Sequence, residues 1–126
     1  MARQTKTVCA EIPGLPPSLW KAYTMRRNGG RCLSREARDW KDVAARALLP
    51  SRPRSPLAGI VRLSITLKAK GRRRWDIENR VKVLSDLLTE MCFWGDDSQV
   101  WDLRVRREMA QFDATKIEIT PIGEEV

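Results

Sequence analysis

Alternating apolar and polar positions predict four half-buried β-strands along this chain. In the clearest one, residues 60–70, Val61, Leu63, Ile65 and Leu67 alternate with polar side chains. A period of two places the apolar side chains on one face of a strand and the polar ones on the other. The same alternation over shorter stretches predicts strands at residues 7–12, 99–108 and 115–120.

Apolar positions spaced by three or four residues predict two amphipathic helices. The first, residues 35–49, follows Ser34 as an N-cap and stops at Pro50. The second runs from Ile77 to about Cys92, and its apolar stripe consists of Ile77, Val81, Leu84, Leu88 and Met91. Between the first strand and the first helix, prolines, glycines and arginines predict a long basic loop.

The predicted order of elements is β-α-β-α-β-β, without an internal repeat or a linker. Elements in this order pack as a mixed sheet with helices lying on it, so the predicted fold class is α+β. The 126 residues suit a single domain, residues 1–126. A chain of this size buries roughly two thirds of its unfolded surface, and its core needs no disulfide or structural metal.

The charge balance predicts a polyanionic partner. Lys and Arg number 24 against 16 Asp and Glu, which gives a net charge of +8. Such a surface attracts nucleic acid, because neutralised phosphates release condensed counterions. A merely solvated basic surface remains an alternative. The three cysteines are widely separated, and the sequence shows neither an apolar signal segment nor an apolar run near the ~20 residues of a membrane span. These features favour a cytoplasmic protein with no membrane partner.

The sequence contains no histidine. This excludes serine–histidine and cysteine–histidine triads, histidine general bases and histidine-ligated zinc. If the protein is an enzyme, carboxylates, lysine and a metal ion must perform the chemistry. We expect no small-molecule organic cofactor.

Acidic residues collect around the second predicted helix. Asp76 and Glu78 stand at its start, Lys82 follows one turn later, and Asp96 and Asp97 lie in the turn beyond its end. Carboxylates are the usual protein ligands of Mg²⁺, and a bound metal can activate water and stabilise charge on a phosphate. A helix of about 16 residues is ~24 Å long. The two acidic ends therefore meet only if the chain folds back or a second subunit supplies one of them.

Each of these residues also has an ordinary structural interpretation. Asp76 can cap the helix, and Glu78 can interact with its dipole. Glu78 and Lys82 can form an i,i+4 ion pair. Asp96 and Asp97 can be simple turn residues. Residue spacing alone leaves both interpretations open.

Two blocks of the sequence resemble the signature of the RusA family of Holliday-junction resolvases. The first, residues 72–79, is Arg-Arg-Arg-Trp-Asp-Ile-Glu-Asn, and Lys82 and Asp86 follow it. The second, residues 93–100, is Phe-Trp-Gly-Asp-Asp-Ser-Gln-Val. Pro-Pro-Ser at residues 16–18 resembles the N-terminal motif of the family. The resemblance extends over nearly the whole chain.

The resemblance implies a homodimeric, Mg²⁺-dependent endonuclease that makes paired symmetric nicks in a four-way DNA junction, with Mn²⁺ as a possible substitute metal. It implies Asp76, Glu78 and Asp97 as catalytic carboxylates and metal ligands. It implies Lys82 as a catalytic lysine, and Asp96 is a further candidate ligand.

The sequence departs from the family pattern at three positions. Glu78 stands where aspartate is usual, Trp75 where arginine is common, and Trp20 where asparagine is frequent. These departures keep two alternatives open: a junction-binding protein that does not cleave, and a general nucleic-acid-binding protein whose acids are caps and turns.

Arginines and tryptophans are the other predicted DNA contacts. Arginines position a protein on the phosphate backbone, and the candidates are Arg72, Arg73 and Arg74 beside the acidic residues and Arg26, Arg27 and Arg31 in the long loop. A solvated loop explains the second group equally well. Aromatic rings can stack on unpaired bases, and the candidates are Trp20, Trp75 and Trp94. Trp40 and Trp101 are predicted to lie in the core.

Overall fold

The structure, a computed structural model, describes residues 7–25 and 29–124. Its elements are β1 (Val8–Pro13), α1 (Leu19–Ala22), β2 (Tyr23–Met25), β3 (Arg31–Leu33), α2 (Arg35–Leu48), β4 (Ile60–Ala69), α3 (Glu78–Glu90), β5 (Val100–Met109) and β6 (Ala114–Gly123), with short 3₁₀ turns at Leu49–Ser51 and Asp97–Gln99. None of the helices within the described ranges is long and apolar enough to span a membrane.

Four of these strands form one mixed sheet in the order β1-β6-β4-β5. β6 pairs antiparallel with both β1 and β4, whereas β4 and β5 are parallel. Parallel neighbours need a crossover, and α3 lies in the crossover between β4 and β5. The predicted α+β class, with a mixed sheet and helices packed on it, is confirmed.

The core lies between one face of the sheet and helices α2 and α3. The apolar side chains of β4 are almost completely buried, and they pack with Trp40 from α2 and with Leu84 and Leu88 from α3. The expectation that Trp40 lies in the core is confirmed. Ser34 caps α2 as predicted, because its Oγ accepts a hydrogen bond from the Ala37 N–H at 3.1 Å. The sheet face opposite the helices is half-buried and polar.

The stretch predicted as one long loop contains α1 and the small antiparallel hairpin of β2 and β3. Tertiary contacts hold it in place. The Ser34 Oγ donates to the Lys21 carbonyl at 2.6 Å, and the Ser34 N–H donates to the Ala22 carbonyl at 2.8 Å. Elements this short have little hydrophobic periodicity, which explains why the sequence pattern does not reveal them. Arg26 and Arg27 lie outside the described residues.

The prediction that Trp101 belongs to the core is wrong. Its side chain is 61% exposed, and Leu103 on the same strand is 52% exposed. The period-two pattern of β5 is real: Leu103 pairs with Leu63 on the helix side, and Asp102 pairs with Arg62 on the open side. β5 is the edge strand, however, and its apolar residues are only partly covered.

Candidate active site

A groove of about 670 Å³ lies between α3 and the edge strand β5. Its polar lining residues are Glu78, Lys82, Ser85 and Asp97, and its other walls are apolar side chains of β4, α3 and β5. The structure thus brings together three of the predicted site residues, Glu78, Lys82 and Asp97. The chain folds back far enough for the turn after α3 to reach the middle of that helix, as one of the two predicted arrangements requires.

Glu78 and Lys82 face the groove because they are one helical turn apart on α3. The buried residues Leu84, Leu87 and Leu88 hold the opposite side of the helix against the sheet. Glu78 lies in the first turn of α3, where a negative charge interacts favourably with the helix dipole. The amphipathic pattern of α3 therefore directs both functional side chains outward.

Lys82 forms ion pairs with two aspartates. Its Nζ lies 2.9 Å from the Asp86 Oδ1 and 3.9 Å from the Asp97 Oδ2. The hydrogen bond that the Lys82 ammonium donates to the Asp86 carboxylate is the largest cause that raises the pKa of Lys82, and the nearby charges of Asp86 and Asp97 act in the same direction. Lys82 is therefore a cation held beside the carboxylate of Asp97. Its helical ion-pair partner is Asp86 and not Glu78, so the alternative of an ordinary Glu78–Lys82 pair is wrong.

The Asp96 carboxylate caps the 3₁₀ turn Asp97–Gln99. Its Oδ1 accepts a hydrogen bond from the Ser98 N–H at 3.2 Å. Hydrogen bonds from the Ser98 backbone and side chain are the main causes that lower the pKa of Asp96. The capping interpretation of Asp96 therefore accounts for its position, whereas Asp97 projects into the groove. A role for Asp96 as a metal ligand stays a prediction.

Gln99 clamps this acidic turn to the rest of the fold. Its Oε1 accepts hydrogen bonds from the N–H groups of Gly95 at 2.9 Å and Asp96 at 3.0 Å. Its Nε2 donates to the carbonyls of Leu57 and Gly59, both at 2.8 Å. Sequence reasoning assigned no role to Gln99. The signal was present, because Asp-x-x-Gln has the spacing of a capping box, which the structure shows here.

Asp76 lies apart from this groove, on a neighbouring cavity of about 630 Å³ whose lining includes Arg73, Arg74, Asn79 and Arg80. Its Oδ2 accepts a hydrogen bond from the Asn79 Nδ2 at 3.5 Å. The alternative that Asp76 caps α3 is wrong, since the N-cap position is Ile77 and no side chain caps this helix.

The predicted metal ligands do not form one cluster within a single chain. In the described ranges, no three Asp, Glu, Cys or His side chains come close enough together to hold a metal ion. Glu78 and Asp97 share the groove, Asp76 lines the adjoining cavity, and Asp96 caps the turn. Mg²⁺ commonly binds through only one or two carboxylates, with water and substrate phosphates completing its coordination. The pair Glu78 and Asp97 fits that requirement.

The arginines that precede Asp76 are available to a ligand. Arg72, Arg73 and Arg74 are all exposed, in a segment without regular secondary structure between β4 and α3. Arg31 begins β3, but its side chain lies outside the described residues, as Arg26 and Arg27 do entirely. On the open side of β5, Arg104 shares the carboxylate of Asp102 with Arg62, and Arg106 pairs with Glu108.

The tryptophans predicted to stack on bases have different positions. Trp94 is completely buried, and its Nε1 donates to the Thr89 Oγ1 at 2.8 Å, so the prediction that it stacks on DNA is wrong. Trp75 is half-buried, and two arginine guanidiniums lie over its ring. The side chain of Trp20 lies outside the described residues.

Comparison with known proteins places this architecture in a family. A family model described as endodeoxyribonuclease RusA matches residues 13–120. The chain is 36% identical over 112 residues to a crossover junction endodeoxyribonuclease of Enterobacteria phage 82, and the match covers 87% of this chain and 92% of that protein. Proteins also named crossover junction endodeoxyribonuclease, from Escherichia coli strain K12 and Shigella sonnei, are 35% and 34% identical, with the same coverage.

Proposed function

This chain belongs to the RusA family of endodeoxyribonucleases, and we propose that it resolves four-way DNA junctions by Mg²⁺-dependent hydrolysis, with paired symmetric nicks. Membership in this family confirms the prediction of an endodeoxyribonuclease. The relatives named above are crossover junction endodeoxyribonucleases, and they cover most of this chain. Branched DNA is therefore the substrate that we propose for this chain as well.

The observation that carries the proposal is the convergence of Glu78, Lys82 and Asp97 on one groove. A metal-dependent nuclease requires carboxylates for its metal and a cation for the phosphate, and this groove offers both. Glu78 and Asp97 would hold a divalent cation, Mg²⁺ or Mn²⁺. When bound, such an ion supplies an activated water and stabilises negative charge on the phosphate.

Side chains of the protein itself supply the other groups that the reaction needs: a cation at the phosphate and contacts to the DNA backbone. The ammonium of Lys82 lies next to Asp97, where it can bind a phosphate oxygen and stabilise the charge that develops on it. Asp86 orients this ammonium through its 2.9 Å contact. The exposed arginines at residues 72–74 precede Asp76, and Arg73 and Arg74 line the cavity beside it, where they can bind the flanking backbone phosphates.

A homodimer is part of the proposal, because a four-way junction is nearly two-fold symmetric and paired nicks need two active sites. An exposed apolar surface on the edge strand β5 supports it. Leu103 and Trp101 are more than half exposed, and Leu103 is also part of the apolar wall of the groove. We also propose a cytoplasmic location, which suits the absence of a disulfide at Cys9 and Cys92.

A second candidate function is junction binding without cleavage. Glu78 favours it, because the carboxylate extends one methylene further than that of the aspartate usual in the family. If that extra reach displaces the metal, the basic surface still binds DNA but the nick is lost. Binding and cleavage therefore have to be measured separately.

The test is incubation of purified protein with a labelled four-way junction and with linear duplex, with and without Mg²⁺. We expect nicks in the junction only, dependent on the metal and lost in Asp97→Asn. Asp39→Asn is the matched control, since Asp39 is an exposed aspartate on α2 away from the groove. Cleavage that persists in Asp97→Asn would refute the assigned site. Binding without cutting in Mg²⁺ or Mn²⁺ would favour the second candidate.

A further inference from the structure

Trp75 is the structural anchor of the segment that connects β4 to Asp76. The guanidinium carbon of Arg107 lies 4.3 Å from the centroid of its ring, and that of Arg80 lies 4.6 Å away. Both distances are within the range of a cation–π interaction. The three residues belong to three different parts of the chain: the segment before α3, the first turn of α3, and the edge strand β5. This contact therefore joins three elements at one point.

Arg80 is held in this contact by several interactions. Its Nη1 donates to the Pro16 carbonyl at 2.7 Å, which ties α3 to the Pro-Pro-Ser turn after β1. Burial is the main cause that lowers its pKa, and the carboxylates of Glu36 and Asp113 oppose that effect. Its Nε is buried and has no hydrogen-bond partner among the described residues. The aromatic face of Trp75 is thus one of the groups that compensate a partly desolvated cation.

The three arginines next to Trp75 have no comparable anchor. Within residues 72–76, which have no regular secondary structure, Trp75 is the single residue that is half-buried, and the others are exposed. Trp75 also packs against the hydrophobic core. The side chain of Trp75 is therefore the contact that this segment makes with the core, directly after Arg72, Arg73 and Arg74 in the chain.

We propose that the stack of Arg107, Trp75 and Arg80 is a positioning device, which holds the three arginines of residues 72–74 in one arrangement so that they bind DNA phosphates together. Trp75 is then a positioning residue that acts through its arginine neighbours and does not itself contact DNA. This inference rests on the proposed function, since it assumes that the arginines bind the junction. It also gives a physical role to the tryptophan that replaces the arginine common at this position in the family.

The number of phosphate contacts can be measured from the salt dependence of binding. For duplex DNA, the slope of log affinity against log salt changes by about 0.9 for each phosphate that is neutralised. If the stack makes three arginines bind together, Trp75→Ala should lower the magnitude of this slope by about two to three. A residue that only stabilises the fold would leave the slope of the folded protein unchanged.

The experiment measures the Kd of the full chain for a labelled four-way junction by fluorescence anisotropy, from about 50 to about 200 mM salt and without divalent metal. The variants are Trp75→Ala, Trp75→Phe and Arg107→Met, and Phe112→Ala is the matched control. Phe112 is 76% exposed, so this control removes an aromatic ring that has little packing. We expect Trp75→Ala to bind more weakly with a reduced slope, so that its loss of affinity against wild type is roughly 16- to 64-fold larger at about 50 than at about 200 mM salt. Arg107→Met should lie between this variant and wild type, and Trp75→Phe should restore most of the affinity.

A combined variant tests whether Trp75 acts through the arginines. When residues 72–74 are all changed from Arg to Met, adding Trp75→Ala should cause little further loss of affinity. Additive losses would mean that Trp75 contacts DNA itself, and would overturn the proposal. An unchanged slope in folded Trp75→Ala or in Arg107→Met would also overturn it. If the wild type fails to prefer the junction over linear duplex, the proposed function fails instead, and the two failures are distinguishable.

Discussion

Replacing Gln99 with alanine removes the clamp that holds the acidic turn on the fold. The side chain amide makes four hydrogen bonds, two accepted from Gly95 and Asp96 and two donated to Leu57 and Gly59. It joins the turn after α3 to the segment before β4, about forty residues earlier in the chain. Its loss should therefore affect both the stability of the protein and the position of Asp97.

The magnitude follows from which partners can reach water. Gly95 and Asp96 are exposed, so water can replace the two bonds that their N–H groups lose. Gly59 is buried and Leu57 is half-buried, so their carbonyls are less well compensated. A net hydrogen bond contributes about 0.5–1.5 kcal/mol, and an unsatisfied buried group costs about 1–3 kcal/mol. We expect Gln99→Ala to lower the free energy of unfolding by about 2–3 kcal/mol.

Calorimetry or circular dichroism measures this loss as a change in Tm. At about 2.1 cal/mol/K per residue, a domain of this length has an unfolding entropy of about 0.26 kcal/mol/K. The expected decrease in Tm is therefore about 8–12 °C. Junction cleavage by the folded variant, measured well below its Tm, should also decrease, because Asp97 loses its fixed place beside Lys82.

Gln111→Ala is the matched control, because Gln111 is an exposed glutamine in the turn between β5 and β6. It should keep the wild-type Tm to within about 2 °C, since exposed substitutions usually change stability by no more than about 0.5 kcal/mol. If Gln99→Ala melts at the same temperature as this control, the clamp contributes nothing to stability. If it melts lower but cleaves normally, Gln99 does not position Asp97.

Three further predictions concern the dimer, acid stability and a close backbone approach. Leu103→Arg should convert the proposed dimer to a monomer without unfolding it, because the side chain is already 52% exposed. An unchanged mass in light scattering would show that this face of the edge strand is not the dimer interface. Arg62 is the main cause that lowers the pKa of Asp102, so their pair stabilises the fold above about pH 4, and this stabilisation is lost as the pH falls through the lowered pKa. Asp102→Asn should therefore show a smaller fall in Tm between about pH 6 and about pH 3 than wild type. An equal fall in the two proteins would contradict this prediction. Gly59 has a φ of +79°, and a Cβ there would collide with the Gly123 carbonyl. Gly59→Ala should therefore lower the free energy of unfolding by more than about 1 kcal/mol, measured by urea titration. An unchanged midpoint of the titration would contradict this prediction.

Much of the fold could be predicted from local patterns. The alternation along β4 and the stripe on α3 each depend on the geometry of one element, and both predictions agree with the structure to within about two residues. The cap at Ser34 is equally local, because its partner is the N–H of Ala37. The short hairpin of β2 and β3 was missed, since three residues per strand form no measurable period.

The composition of the candidate site could also be predicted, but its geometry could not. Glu78 and Lys82 are one helical turn apart, so any α3 would place them on one face. Asp97 joins them only because the chain turns back after α3 and Gln99 fixes that turn to the segment before β4. The expectations for two tryptophans failed for the same reason. Trp101 is exposed because β5 is the edge strand of the sheet, and Trp94 is buried because the turn after α3 packs into the core.

The positions of the long strands and helices, their apolar faces, and the acidic and basic residues of the site can all be predicted from the sequence. Those properties follow from the repeat of the backbone and from the chemistry of single side chains. Three contacts follow from the packing of the elements alone: Asp97 meets Lys82, Asp76 lies on a separate cavity, and Arg107 reaches Trp75 across about thirty residues. Such contacts depend on the order of strands in the sheet and on how α3 crosses it, and a periodic pattern carries no information about which elements become neighbours.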